Sequence, residues 1–334
     1  NNRMNSKIVF ALFMIALASA RQMFGSLGLN QPSAINQWSA FKTKYNKNYE
    51  TAEEENIRFR IFQSNLAAAS ELDQADKSAT YGVTKFMDLS VEEFRKFYLM
   101  PKDIYANYTY EEGRLAAPIT NVDLPTSFDW RNKGAITPVY NQGQCGSCWA
   151  FSATETIESY NELCGNGLHS ESMQQIVSCD TTAYGCDGGW TSAAYNYVEK
   201  AGGIEPFSAY PYTAQTGTCQ FDASKINEKI TGWKYITQSA DESAMQNWCY
   251  SNGPLSVCVD AASWQFYTGG VITSCGQSVD HCVQVTGFST QSGTPAWNVR
   301  NSWGTDWGLD GYLYVERGQN MCAIGSTVTS VSCT

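Results

Sequence analysis

Histidine is scarce in this chain: 334 residues contain two, His169 and His281. Chemistry that needs an imidazole therefore has two candidates, and a zinc site built on paired histidines is poorly supplied. Cysteine is missing from the first 144 residues although the chain holds 12. Positive charge is short as well, with 22 Lys and Arg against 32 Asp and Glu and a formal charge of −10. No basic stretch interleaves with aromatics, and an acidic surface repels phosphate, so nucleic acid is not an expected partner. Beyond the N-terminal residues no apolar run is long enough to cross a bilayer, and no membrane anchor is expected. Tandem repeats and low-complexity tracts are also lacking.

What is present divides the chain into three. Residues 4–20 carry Lys7, an apolar run from Ile8 to Ala18 and the small-residue site Ala18-Ser19-Ala20. This pattern predicts a signal peptide over residues 1–20, with Asn1-Asn2-Arg3 preceding an initiator at Met4. Residues 1–123 balance their charge, 14 basic against 14 acidic, and residues 21–123 are helical in pattern. Thr51-Ala52-Glu53-Glu54 predicts a capping box ahead of an apolar face made by Ile57, Ile61, Phe62, Leu66, Ala69 and Leu72. Ser90-Val91-Glu92-Glu93 opens a second helix, and Trp38, Phe41, Tyr45 and Tyr49 mark an aromatic-rich one. Asn107-Tyr108-Thr109 is an expected glycan acceptor, and Arg114–Asp123 reads as a linker.

From Leu124 the composition turns to Gly, Cys, Trp and Tyr, and the acidic excess lies here, 18 Asp and Glu against 8 Lys and Arg. Helical spacing dominates near 148–163 and 190–200. Alternation takes over in 254–261, 281–288, 296–303 and 311–316. A helical half over about 124–245 and a β half over 246–334 are expected, with a cleft between.

The densest stretch is Asn141-Gln142-Gly143-Gln144-Cys145-Gly146-Ser147-Cys148-Trp149-Ala150-Phe151. It places Cys148 at the start of a helix continued by Ala150, Ala153, Ile157 and Tyr160, where unpaired N–H groups and the helix dipole favour a thiolate. The same Cys-x-x-Cys could serve redox exchange or half a zinc site, and the loop alone leaves all three open. Downstream stand Gly185-Cys186-Asp187-Gly188-Gly189, Asp280-His281-Cys282 and Asn301-Ser302-Trp303-Gly304-x-x-Trp307-Gly308. With these four blocks in order, and His and Asn 133 and 153 positions after Cys148, the sequence resembles the papain family of cysteine proteases.

The resemblance implies an α+β, papain-like two-domain fold, with a helical left domain, a β-barrel-like right domain and an N-terminal helical propeptide. It implies Cys148 as nucleophile, His281 as base, Asn301 holding the ring, and Gln142 with the Cys148 N–H receiving the oxyanion. Trp303 would shield the Asn301–His281 contact. Substrate would lie along Gly188, Gly189, Trp190 and Asp280, with a side-chain pocket at Trp190, Thr191, Cys258, Ala261, Cys282 and Thr327. That pocket lacks charge, so an apolar or aromatic residue is expected second before the cut bond. No metal and no cofactor are implied.

Glu54-x3-Arg58-x3-Phe62-x2-Asn65 follows cathepsin L-like propeptides of the ERFNIN type, although Ala69 and Asp73 replace the usual Ile and Asn. Gly82-x3-Phe86-x-Asp88 follows a second propeptide motif, with Thr84 where Asn is usual. The propeptide is thus an expected intramolecular inhibitor, removed near residues 117–124, and protein or peptide substrates, a monomer and a lysosomal, digestive or secreted destination are expected. Family pattern pairs Cys145 with Cys186, Cys179 with Cys219 and Cys275 with Cys322, each bridge worth ~2–4 kcal/mol. Cys164, Cys249, Cys258, Cys282 and Cys333 remain; Cys258 and Cys282 either bridge or, as the favoured expectation for at least one, stay free as small buried groups. His169 is expected at the surface. Two other function classes compete: a silent binding or storage relative, which would have lost the nucleophile, and a metal or disulfide-exchange protein.

Overall fold

The computed structural model describes residues 31–106, 108–120 and 122–333, so the leader over 1–20 and the acceptor Asn107 lie outside the described residues. The upstream part is built on α1 (Gln31–Lys44), α2 (Ala52–Ala75) and α3 (Val91–Tyr98). The Thr51 hydroxyl caps α2 by accepting the Glu54 N–H at 3.1 Å. The reciprocal half of the expected box is not made, because the Glu54 carboxylate takes the N–H of Glu50 instead. Ser90 and Glu93 do form a full box on α3.

Trp38 gathers Phe41, Tyr49, Phe59 and Phe62 at ring separations of 5.2–5.6 Å, which joins α1 to α2. The expected apolar face of α2 is covered only in part: Phe62 and Ala69 are buried, while Ile57 is half exposed. A buried place between them goes to Asn65, whose amide donates to the Met87 and Leu89 carbonyls at 2.9 and 2.8 Å. Burying that polar group is tolerable because both of its N–H bonds are satisfied.

One sheet runs β1 (Ala79–Tyr81), β5 (Tyr267–Ile272), β8 (Tyr312–Glu316), β7 (Thr294–Arg300), β6 (His281–Gln291), β4 (Leu255–Val259), β9 (Thr327–Ser332), β3 (Gly232–Thr237), with β2 (Phe128–Asp129) on β6. Only the β5–β8 pair is parallel. Among the described residues this path is open, so the expected barrel-like half is an unclosed sheet. Nor is the expected boundary at 245/246 sharp. β2 and β3, which precede it, belong to the sheet because β6 and β9 supply their hydrogen-bonding edges. The upstream part docks partly by adding β1 to β5, and Gly270 allows this approach: at φ +74, a Cβ there would stand 2.2 Å from the Ser78 carbonyl.

The helices of the downstream part are α5 (Cys148–Leu163), α6 (Met173–Cys179), α7 (Thr191–Ala201) and α8 (Glu242–Ser251), preceded by the short α4 (Lys102–Ala106). α5 is buried on every side from Cys148 to Asn161, as a helix enclosed between two halves must be. Its hydroxyl at Ser152 bonds the Val283 carbonyl and Ser256, and Gln284 on β6 donates to the Glu155 carbonyl.

Five disulfides join Cys145 to Cys186, Cys179 to Cys219, Cys275 to Cys322, Cys164 to Cys333 and Cys258 to Cys282. The last corrects the expectation that one of that pair stays free. Cys258 and Cys282 are direct partners in the β4–β6 register, with Cα atoms 4.0 Å apart, and cross-strand pairing brings their side chains together. Among the described residues Cys148 and Cys249 are free, both buried.

Candidate active site

The loop before α5 is held by backbone geometry that its glycines permit. Gly143 takes φ +60 and donates its N–H to the Asn141 side chain. Gly146 donates to the Cys186 carbonyl at 2.8 Å, and a Cβ would lie 2.6 Å from that oxygen. The Cys145–Cys186 bridge locks the same approach, leaving Cys148 as the first residue of α5. Its sulfur meets the backbone N–H of Cys282 and feels the Asp280 carboxylate, so it lies against the start of β6.

His281 opens β6, and its Nε2 lies 2.8 Å from Asn301 Oδ1. That oxygen also accepts the Ser302 N–H at 2.8 Å, which identifies it as the amide oxygen and makes Nε2–H the donor. Neutral His281 therefore carries its proton on Nε2 and leaves Nδ1 as a buried lone pair with no hydrogen-bond partner among the described residues. Trp303, fully buried, lies 4.8 Å from the imidazole and tilted by 33°. Trp264 closes another side at 6.0 Å.

The Gln142 amide has its orientation set by Ser302, whose hydroxyl donates to Oε1 at 2.7 Å. Its Nε2 donates to the Cys145 carbonyl at 2.9 Å and to the Tyr98 carbonyl at 3.2 Å. Tyr98 belongs to the upstream part. The segment that follows continues through the cleft. Met100 N–H donates to the Asp280 carbonyl at 2.6 Å; Ile104 sits where a Cβ on Gly188 would be 2.7 Å away; Tyr105 and Tyr108 stand beside Trp190 at 5.8 and 4.7 Å. The Arg95 guanidinium approaches Asp280 at 3.6 Å.

Enclosure by this segment decides the charges. Burial pushes the Cys148 thiol up to about 12, helped by the Asp280 carboxylate and opposed by the backbone N–H groups of Cys282, Trp149 and Cys148. Burial lowers His281 to about 4 despite its bond to Asn301. Asp280 is raised to about 7, mainly by burial.

His281, Asn301, Gln142 and Trp303 thus share one network through Ser302 and the imidazole, and Cys148 lies beside it against Cys282, the neighbour of His281. Cys258, Cys282 and Thr327 lie side by side on β4, β6 and β9, Ala261 donates its N–H to Asp280, and Trp190 and Thr191 begin α7. Gly189 has a different reason to be glycine than an approaching substrate: a Cβ there would strike the Trp149 ring at 2.7 Å. His169 is exposed, as expected. Ser302 and Trp264 were not anticipated. Ser302 stands inside the Asn-Ser-Trp-Gly block and was within reach of the sequence; Trp264, in a 3₁₀ turn, carried no signal.

Comparison with known proteins agrees with this geometry. Residues 124–332 match the family described as "Papain family cysteine protease", and residues 38–94 match "Cathepsin propeptide inhibitor domain (I29)". Cysteine proteinase 1 of Dictyostelium discoideum is 40% identical, with 96% of this chain and 98% of that protein aligned. Digestive procathepsin L2 proteinase from the Tenebrio molitor larval midgut superposes with a TM-score of 0.81 at 35% identity, covering 90% of this chain and 99% of that one. The recombinant stem bromelain precursor gives 0.79 at 30%, with the same coverages.

Proposed function

The chain belongs to the papain family of cysteine proteases, as a cysteine endopeptidase carrying its inhibitory propeptide, and we propose from this premise that Cys148, His281, Asn301 and Gln142 carry the reaction. Once the cleft opens, His281 Nδ1 takes the Cys148 proton, and the resulting thiolate at the α5 N-terminus attacks a peptide carbonyl. The Gln142 amide and the Cys148 N–H receive the oxyanion. The amine leaves with a proton from His281, and water activated by the same ring cleaves the thioester. Asn301 keeps the ring oriented and Trp303 covers that contact.

The observation that carries this reading is the Gln142 Nε2–H donated to the Tyr98 carbonyl. A pro-segment oxygen takes the donor proposed to receive an oxyanion, while the same segment buries Cys148. We assign the propeptide to 21–123 and the mature enzyme to 124–334, with a leader over 1–20 directing the chain into a secretory route. Gly188, Gly189, Trp190, Asp280, Cys258, Ala261, Cys282, Trp303 and Thr327 are assigned to substrate contact, with an apolar or aromatic preference second before the cut bond. Among the described residues no helix is long and apolar enough to cross a membrane.

The test is hydrolysis of a fluorogenic peptide after acid conversion of the full chain, with and without a thiol alkylator, beside Cys148→Ala. Activity is expected only in the unmodified chain; turnover surviving the substitution rules the assignment out. N-terminal sequencing of the converted form is expected to find a start close to Leu124, and a start upstream of Asn107 would refute the boundary.

A further inference from the structure

The pro-segment residue that enters the side-chain pocket is Tyr105. Its ring stands edge-on to Trp190 at 5.8 Å, and it packs on the buried cluster that includes Cys148, Cys258 and Cys282. Its phenol oxygen lies 2.7 Å from Thr327 Oγ1. Thr327 is 3% exposed and sits on β9 opposite Cys258, whose bridge to Cys282 makes the adjoining wall. Two hydroxyls stand in the pocket wall: that of Thr191 is paired with Thr329 at 3.0 Å, and the group that meets that of Thr327 is the hydroxyl of Tyr105.

From this contact, and resting on the proteolytic reading above, we infer that Thr327 is a specificity-determining residue that selects tyrosine over phenylalanine at the second residue before the cut bond. A buried hydroxyl with a partner gains a modest net hydrogen bond, but one left facing a phenyl ring loses its solvation without return. A site built to bond a substrate hydroxyl therefore discriminates against the analogue that lacks it. Trp190 supplies the aromatic wall, which favours a ring over an aliphatic chain. Tyr105 is the internal template: the segment that fills the pocket in the intact chain carries the side chain that the pocket recognises. Since the pocket reads a side chain, the direction in which the segment's backbone runs does not alter the match.

Two measurements test this. In the acid-converted enzyme, kcat/KM is compared for peptides that differ only in Tyr, Phe, Leu or Arg at that position, in the unsubstituted chain, in Thr327→Val and in Thr327→Ser. Tyr is expected to exceed Phe about tenfold. The ratio is expected to fall to near one in Thr327→Val, which keeps the shape, and to persist in Thr327→Ser, which keeps the hydroxyl. Equal Tyr and Phe rates in the unsubstituted enzyme, or a ratio that Thr327→Val leaves intact, overturn the inference while the protease reading stands. No turnover of any peptide by the unsubstituted enzyme would instead sink the protease reading itself.

The second measurement needs no added peptide. Tyr105→Phe in the full chain is expected to speed acid conversion severalfold, and to have no further effect when Thr327→Val is already present, since both changes break the same bond. Independent, multiplying effects of the two substitutions would contradict the contact's role.

Discussion

At neutral pH the intact chain holds Cys148 as a thiol and His281 as a neutral imidazole, because burial disfavours the charged form of each. Neither group lacks the surroundings for charge: the thiol has the α5 N–H groups, and the ring has Asn301. What is missing is water, which the enclosed site excludes, with Tyr98, Met100 and Ile104 of the pro-segment lying across the cleft. The proposed mechanism also depends on Gln142, held by Ser302 on one side. Gln142→Ala in the converted enzyme is expected to lower kcat by about a hundredfold or more with little change in KM, the pattern of a lost oxyanion donor. Ser302→Ala, which only frees the amide to rotate, is expected to cost less, and equal effects of the two would contradict the positioning role. The sequence carried Cys148, His281, Asn301 and Gln142 because each lies within a recognisable block. It could not carry Ser302's contact with Gln142, which spans 160 positions and exists only once β7 returns beside the loop.

Another residue-scale device lies behind the site. Burial raises Glu155 to about 8 and Glu158 above its ordinary value, while the fully buried Arg300 opposes both. One guanidinium thus faces two carboxyls. Since the folded state holds Glu155's proton more tightly than the unfolded chain, its contribution is complete below 4.5 and is lost as the pH rises through about 8. The thermal midpoint of the intact chain is expected to fall over this range, and Glu155→Gln, which needs no proton, to flatten the decline. A variant with the same slope as the unsubstituted chain would contradict this.

At the scale of elements, α5, α7 and the strands β4, β6, β7 and β8 lie where helical spacing and alternation mark them, although only β8 keeps a strict alternation of burial, and α5 and β4 are buried on all sides. β1 and β2 are not so marked: three and two residues long, they are strands only because β5 and β6 offer edges. Thr51 showed that a capping pattern can form half its contacts, and Ile57 that an apolar stripe can outrun its partner surface. The Cys258–Cys282 bridge, an open but unfavoured alternative in the sequence, depends on the β4–β6 register.

The turn after α2 forms a clasp on the downstream part. Asp76 accepts N–H bonds from Thr273 and Ser274 as well as from Ser78 and Ala79, and the Thr273 hydroxyl. Burial pushes its carboxyl up, but these bonds outweigh that and hold it below its ordinary value. A depressed carboxylate stabilises above its ordinary range and loses that contribution as the pH falls through the depressed value, so acid loosens this clasp. Asp76→Ala is expected to let the chain convert at a higher pH than the unsubstituted protein, as followed by gel and N-terminal sequencing. Conversion at an unchanged pH would show that the clasp does not hold the pro-segment.

On the scale of the whole molecule, the two halves are woven together. β2 and β3 cross into the sheet from the helical side, and the Cys164–Cys333 bridge closes a span of 169 positions from the end of α5 to the residue after β9. A loop of that length is worth about 5 kcal/mol in the chain-entropy account. Replacing both cysteines by Ser is expected to lower the thermal midpoint by several degrees while leaving peptide hydrolysis intact; an unchanged midpoint would contradict it. The sequence left this pair among five unassigned cysteines, since only the folded sheet brings β9 beside α5.

The pro-segment adds a strand at one edge, sets Phe86, Phe94 and Tyr98 against Trp303 at 5.3–6.3 Å, and fills the cleft beyond. The central claim is that this segment keeps Cys148 buried and uncharged until it is removed. The most direct measurement is the rate at which iodoacetamide labels Cys148 at pH 6, followed by peptide mass spectrometry in the intact and acid-converted chains, with the buried Cys249 as internal control. Labelling of Cys148 is expected to be slow in the intact chain and to rise at least a hundredfold on conversion, in step with peptide hydrolysis, while Cys249 stays unlabelled. Equal labelling of Cys148 before and after conversion would contradict the account.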